Sequence, residues 1–335
     1  MVAADVGRGG APKVSVVIPS YNYARFLGLA IASLQAQSWE DWEAIIVDDG
    51  STDDTEKVAA ELLGKDSRIV YIRQPNGGTS AAKNAGIRHA RGEYVVFLDA
   101  DDLLTANKLA AHIEHFQNNP YVDISYSRFR YFQDGDESRL FTKFDLSSGQ
   151  EWAVVINGRY DVALPVFLRG NNMAIHAAMV RKSIVDRVGD FDTQMRALED
   201  WDYWLRCILH GAHLAFLDAP QVLALTRVHK GSATHTLDFS DYKRRVYEKV
   251  RQEALRLREE GDERLQLVLD KALQRLVRRE RKRLLRAQRK ALHERIRCAG
   301  LLDFRALSLI AEQSGRMNFL AAYLRVLLKN LSLWR

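Results

Sequence analysis

The 335-residue chain is 47% hydrophobic and 27% charged, the balance of a soluble globular protein with room for one large domain or two of ordinary size. It has no run of the roughly 18 consecutive apolar residues that a spanning helix needs. Residues 1–12 read as a flexible lead-in without the apolar core of a secretion signal, and the two distant cysteines, Cys207 and Cys298, read as free thiols of a reducing compartment, not as a disulfide or zinc site.

The net charge of +6 hides a division. Residues 241–335 hold 25 Lys and Arg against 12 Asp and Glu, while residues 1–240 hold 24 against 31. Segments of opposite sign point to two modules with different tasks.

Strand and helix signals alternate from the start. "VSVVIPS" (Val14–Ser20) is a β-branched strand that Pro19 closes. Ala24–Gln37 places Phe26, Leu27, Ala30, Ile31 and Leu34 on one helical stripe. "EAIIVDDGS" (Glu43–Ser51) is a second buried strand, ending in acids and Gly50. The helix after it has acids in its first turn and Gly64 just past its end. "RIVYIRQ" predicts a third strand, "NGGTSAAKNAGIRHA" a Gly-rich loop running into a helix, and "GEYVVFLDADD" a fourth strand. "ANKLAAHIEHF" then reads as helix and "VDISYSRFRYF" as one more strand. From Gln133 to Arg169 the pattern is weak, as loops and short strands would give. "MAIHAAMVRKSIVDRVGDFD" is a strand or turn before a short helix, Glu199–Gly211 an amphipathic helix, and "HLAFLDAPQVLALTRVH" a strand. Beyond Asp241 Gly and Pro nearly vanish and Leu recurs at helical spacing.

This alternation predicts an α/β fold, a mostly parallel central sheet flanked by helices. Ligands of such sheets sit beyond the carboxyl ends of the strands. Polar residues collect there: Ser20, Tyr21 and Asn22; Asp48 and Asp49; Asp99, Asp101 and Asp102. Three carboxylates crowded at the mouth of a buried strand call for something positive among them. The plainer alternative, for Asp102, is a cap on the following helix.

Together, "VSVVIPSYNYARFLGLAIASLQAQSWEDWEAIIVDDGSTDDT", "NGGTSAAKNAGI", "GEYVVFLDADD" and "ALEDWDYWLR" resemble the family 2 glycosyltransferases over about residues 13–235, in family order. The resemblance implies the GT-A nucleotide-sugar-binding fold and a divalent metal, Mg²⁺ or Mn²⁺, bridging the donor's diphosphate. Asp101 matches the metal-binding acid. Asp99 matches a position that shares the metal or contacts ribose, and His229 a third ligand. Asp49 matches the acceptor of the nucleobase imide N–H, with Pro19, Tyr21 and Asn22 lining the same pocket. Lys83 stands where the family commonly has an Arg that contacts the nucleotide, and Arg227 and Lys230 could assist the diphosphate. Asp200 matches the catalytic base, Glu199 touches donor or acceptor sugar, and Trp201, three residues before Trp204, offers a sugar platform. The remaining histidines, His176 among them, form no ligand pattern.

The expectation is a metal-dependent inverting transfer. The donor is a nucleotide-diphosphate sugar, with UDP or dTDP favoured, and the acceptor a hydroxyl on a glycan, lipid-linked sugar or protein. Resemblance suggests bacterial surface polysaccharide assembly, in the cytoplasm or on the inner face of its membrane. The rival is a non-catalytic scaffold that keeps the fold.

The basic region lies outside the resemblance. Expected boundaries are therefore 13–240 for the transferase domain and 241–335 for a basic helical extension. That extension reads either as helices packed on the domain or on a second copy in a homo-oligomer, or as attachment to an anionic membrane, at about 1 kcal/mol per Lys or Arg. "NFLAAYLRVLLKNLSLWR" suits an interfacial helix. Nucleic acid is not expected, because the region has few aromatics for stacking.

Overall fold

A computed structural model describes residues 10–151, 153–230, 239–261 and 263–299, with Ile310 and Glu312. Most of the lead-in and the apolar C-terminal stretch lie outside the described residues. The chain divides into two compact units, Met1–Asp270 and Lys271–Arg335.

The first unit opens with β1 (Val14–Ser20), α1 (Ala24–Gln35), β2 (Trp42–Asp48), α2 (Thr55–Leu63), β3 (Ile69–Arg73), α3 (Thr79–His89) and β4 (Tyr94–Phe97). It continues through β5 (Leu103–Leu104), α4 (Lys108–Asn118), β6 (Ile124–Tyr126), β7 (Arg128–Gln133), β8 (Asp136–Phe141) and α5 (Tyr160–Phe167). After these come β9 (Ala178–Arg181), α6 (Lys182–Val188), α7 (Glu199–Leu209), β10 (Leu214–Phe216), β11 (Leu223–Val228) and α8 (Ser240–Glu260). Then α9 (Glu263–Ala299) begins.

The main sheet has the order β10-β6-β9-β4-β1-β2-β3, and β9 alone runs antiparallel to its neighbours. β1 and β2 are buried along their whole length, which is why both read as continuous apolar runs. On one face Leu27, Ile31 and Leu34 of α1 meet Val16, Ile18 and Ile46. Each such side chain contributes about 1.5–3 kcal/mol. On the other face α3 lies close against β1. A Cβ on Gly86 would sit 2.2 Å from Val17 Cγ1, so only glycine permits this approach.

Strand order reverses at β1, between β2 and β4, and this switch point sets the carboxyl ends side by side. Ser20 is in register with Asp48, and Val17 with Phe97, just before Asp99. Pro19 pairs with Val47 inside β1; it does not end the strand.

Two stretches read as single strands are each divided between sheets. Residues 122–132 form β6 in the main sheet and β7 in a second sheet of order β5-β11-β7-β8. The break falls at Ser127, whose N–H donates to the Ala177 carbonyl (3.1 Å) while its Oγ accepts from Lys108 Nζ (2.7 Å). Residues 213–229 split likewise into β10 and β11.

The charge reversal at Asp241 precedes the boundary between the compact units. α8 belongs to the first unit: Lys249 pairs with Asp202 (2.8 Å), and Lys249 and Arg245 both pair with Asp192 (3.0 Å). No helix among the described residues is long and apolar enough to cross a membrane.

Candidate active site

A cleft of about 680 Å³ opens where β1, β2 and β4 end. Its opposite wall comes from the second sheet through Phe129, Tyr131 and Thr226, and a third side from Leu198, Glu199 and Asp200 at the start of α7. Six carboxylates line it (Asp49, Asp99, Asp101, Asp102, Glu199 and Asp200) against two guanidiniums, Arg196 and Arg227.

Asp49 anchors a loop. Its Oδ1 accepts from Gln74 Nε2 (2.7 Å) and Gly77 N–H (2.9 Å), and its Oδ2 accepts from Gly78 N–H (2.7 Å). Oδ2 keeps a lone pair for one further donor. Asp48 beside it faces inward, accepting from Ser51 N–H and the Tyr71 hydroxyl (2.7 and 2.6 Å), so it shapes the turn. Pro19 and Tyr21 line the cleft, and Tyr21 is 47% exposed, so it is no core residue.

Three residues expected to touch ligand are engaged by protein groups in this structure. Asn22 adopts a left-handed backbone (φ 57°) and turns its Oδ1 to Thr52 N–H (2.8 Å), which clamps the turns after β1 and β2 together. Lys83 is wholly buried: its Nζ lies 2.9 Å from Glu199 Oε1 and 3.7 Å from Asp99 Oδ1, so it acts through those carboxylates. Trp201 is buried between α5 and α8. Its indole N–H donates to the Phe167 carbonyl (2.7 Å) and its ring meets Tyr247 edge-on, leaving no face for a sugar.

The acid loop after β4 is held from outside. Arg227 donates its backbone N–H to Asp102 Oδ1 (2.8 Å) and its Nε–H to the Asp101 carbonyl (2.8 Å). Its Nη1 bridges Asp134 and Glu137 (2.9 and 3.0 Å). Arg227 therefore holds the acids, and the exposed Lys230 is not among the lining residues. Asp102 caps no helix, since α4 begins after Asn107. Burial, then the charges of Asp101 and Asp99, push the Asp102 carboxyl well up; burial likewise raises Asp99 against the pull of Lys83. Asp101 Oδ2 lies 3.0 Å from His229 Nε2.

A divalent ion fits this donor set. Hard cations favour carboxylate oxygens, and a 3.0 Å spacing between oxygen and nitrogen donors suits neighbouring ligands of a six-coordinate ion with bonds of about 2.1 Å. A second group, Asp99, Asp102 and His176, places its donor atoms within 4.8 Å of one another.

Glu199 and Asp200 follow Leu198, a leucine in the left-handed region (φ 59°, ψ 20°), a strained conformation of the kind that gathers at functional sites. The two acids then diverge. Burial works against the charge of Glu199, but Lys83 outweighs it and holds the carboxyl below the usual range. Asp200 is pushed up to about 7 by burial and then by the charge of Glu199, with Lys83 opposing. Asp200 Oδ2 accepts from Asn171 Nδ2 (2.6 Å) and Oδ1 from Trp201 N–H (2.7 Å). A carboxylate ionising near 7 in a cleft is suited to taking a proton.

Three buried polar atoms of lining residues have no hydrogen-bond partner among the described residues: Ser20 Oγ, His176 Nδ1 and Arg227 Nη2. Native structures leave few such atoms unsatisfied, so the cleft has the deficit that a ligand would fill. Sequence reading gave no role to Asn171 or His176, because neither sits in a motif and both reach the cleft through tertiary packing. It also missed the aromatic wall of Phe129 and Tyr131, which lies in a stretch read as one plain strand.

The model for Glycosyl transferase family 2 matches residues 15–189. An uncharacterized glycosyltransferase of Rickettsia typhi is 31% identical over 229 residues, 68% of this chain and 67% of its own length. S. aureus TarS 1–349, solved with UDP-GlcNAc, superposes with a TM-score of 0.63 at 18% identity, over 94% of this chain and 90% of that one. The mannosyltransferase PcManGT from Pyrobaculum calidifontis, solved with GDP-Man and Mn²⁺, gives 0.51 at 18% identity, over 96% and 88%. At such identities these two structures establish the fold. Family match and relative together make the chain a member of glycosyl transferase family 2.

Proposed function

We propose that this glycosyltransferase inverts the anomeric centre as it moves a sugar from a nucleoside diphosphate to an acceptor hydroxyl, with Asp200 as the base. The observation that carries this reading is a carboxylate raised to about 7 on the same cleft as Asp49 and the acid loop. Donor-bound structures of fold neighbours support the donor class, UDP-GlcNAc in TarS and GDP-Man with Mn²⁺ in PcManGT.

Asp49 offers Oδ2 to the imide N–H of a uracil or thymine, and Tyr21 lies along the base. Asp99 and Asp101, with His229, would hold a divalent ion that neutralises the charge growing on the leaving diphosphate. Glu199, fixed by Lys83, faces the sugar. Asp200, oriented by Asn171, takes the acceptor's proton as its oxygen attacks the anomeric carbon, and a single displacement inverts that centre. The acceptor lies against Phe129 and Tyr131, whose rings suit the C–H faces of a sugar and so favour a glycan or lipid-linked glycan.

The α9 residues Arg275, Arg278, Arg279, Lys282 and Arg286 recur at helical spacing and line one groove, which supports attachment to an anionic membrane. Co-sedimentation with phosphatidylserine vesicles, lost at high salt, checks that part.

Replacing Asp200 by Asn should lower turnover by about 10²–10⁴-fold while calorimetry shows nucleotide affinity unchanged. Turnover near the wild-type level in Asp200→Asn would remove it as the base.

A further inference from the structure

We propose that Asp102 and His176, with Asp99 shared, form a second cation site beside that of Asp101 and His229, one that takes a first-row transition ion such as Mn²⁺ in preference to Mg²⁺. Their donor atoms all lie within 4.8 Å of one another, and His176 Nδ1 stands 3.3 Å from Asp102 Oδ2. The imidazole is 2% exposed and lines the cleft, yet Nδ1 has no hydrogen-bond partner among the described residues. Its other nitrogen is held by Thr226 Oγ1 (3.2 Å), which orients the ring. An outer contact of this kind is usual behind a metal-binding histidine.

Charge points the same way. Arg227 Nη1 is engaged by Asp134 and Glu137, and Lys83 is shared between Asp99 and Glu199. Asp102 therefore has a backbone N–H on one oxygen and a bare imidazole nitrogen facing the other. A mixed nitrogen and carboxylate set suits Mn²⁺, while Mg²⁺ keeps to oxygen ligands and retains water.

The inference goes beyond the transferase reading and stands or falls without it, because the probe is Mn²⁺ alone, with no nucleotide. Electron paramagnetic resonance should count two bound Mn²⁺ per chain, falling to one in His176→Gln and to one in His229→Gln. The ion retained in His229→Gln should show ¹⁴N coupling and resist a tenfold excess of Mg²⁺. Asp102→Asn, whose amide oxygen can still accept from Arg227, should lose the same ion as His176→Gln, which guards against misfolding in one variant. A Mn²⁺ count unchanged by both His176→Gln and Asp102→Asn, or an ion in His229→Gln without nitrogen coupling, overturns the proposal.

Discussion

Replacing Asn171 by Ala removes the 2.6 Å hydrogen bond from its Nδ2 to Asp200 Oδ2. That bond favours the ionised carboxylate, so its loss must raise the Asp200 pKa from its value of about 7. A hydrogen bond to a charged group contributes roughly 1.5–3 kcal/mol, and 1.36 kcal/mol is one pKa unit, so the shift should be about 1–2 units upward. At pH 7 the ionised fraction would drop from about one half to about 1–10%, and kcat/KM should fall roughly 5–50-fold. At pH 9 both proteins are at least about half ionised, and the rates should agree within about twofold. The assay is nucleoside diphosphate release from a nucleotide sugar, followed from pH 5.5 to 9.5. An acid limb left in place, with the rate depressed equally at every pH, would show that Asn171 only shapes the cleft and would refute the reasoning.

Lys83→Met leaves the Glu199 carboxylate, only 15% exposed, without its cation and should cost about 3–5 kcal/mol by denaturant unfolding. Because Lys83 pulls the Asp200 pKa down, the acid limb of the rate profile should also move to higher pH. Gly86→Ala drives a methyl against Val17 and should destabilise by about 1–3 kcal/mol, lowering the melting temperature without altering nucleotide affinity. Burial opposes the charge of Asp192, but bonds from Gln194, Lys249 and Arg245 hold its carboxyl down to about 2. A depressed carboxyl stabilises fully above its unfolded pKa near 3.9 and loses that contribution as pH falls toward 2. Asp192→Asn should therefore flatten the dependence of melting temperature on pH between about 4 and 2.

The half of the fold around β1 to β4 was legible because its information is local. Apolar runs of strand length, a helical stripe from Phe26 to Leu34 and glycines at the turns each fix an element from its own residues. The second half depends on partners distant in the chain. Nothing in "VDISYSRFRYF" announces that Ser127 ends one strand and begins another, since the break depends on Lys108 and Ala177. The same distinction holds in the cleft. Asp49, Asp101 and Asp200 stand in motifs, whereas Asn171 and His176 are ordinary residues in sequence and matter only by what tertiary contact sets beside them. Trp201 misled for a related reason: helical spacing gives the side of α7 it occupies, but not that α5 and α8 cover that side.

Arg227 gives the acid loop a dependence on the rest of the chain that a motif does not convey. Its backbone lies in β11, in register with Phe132 of β7, while its bonds reach both the acids and the turn toward β8. A slip of one residue between β11 and β7 would turn the guanidinium to the opposite face and release the loop. Grafting the first 120 or so residues onto another scaffold would thus transplant the carboxylates without their spacing.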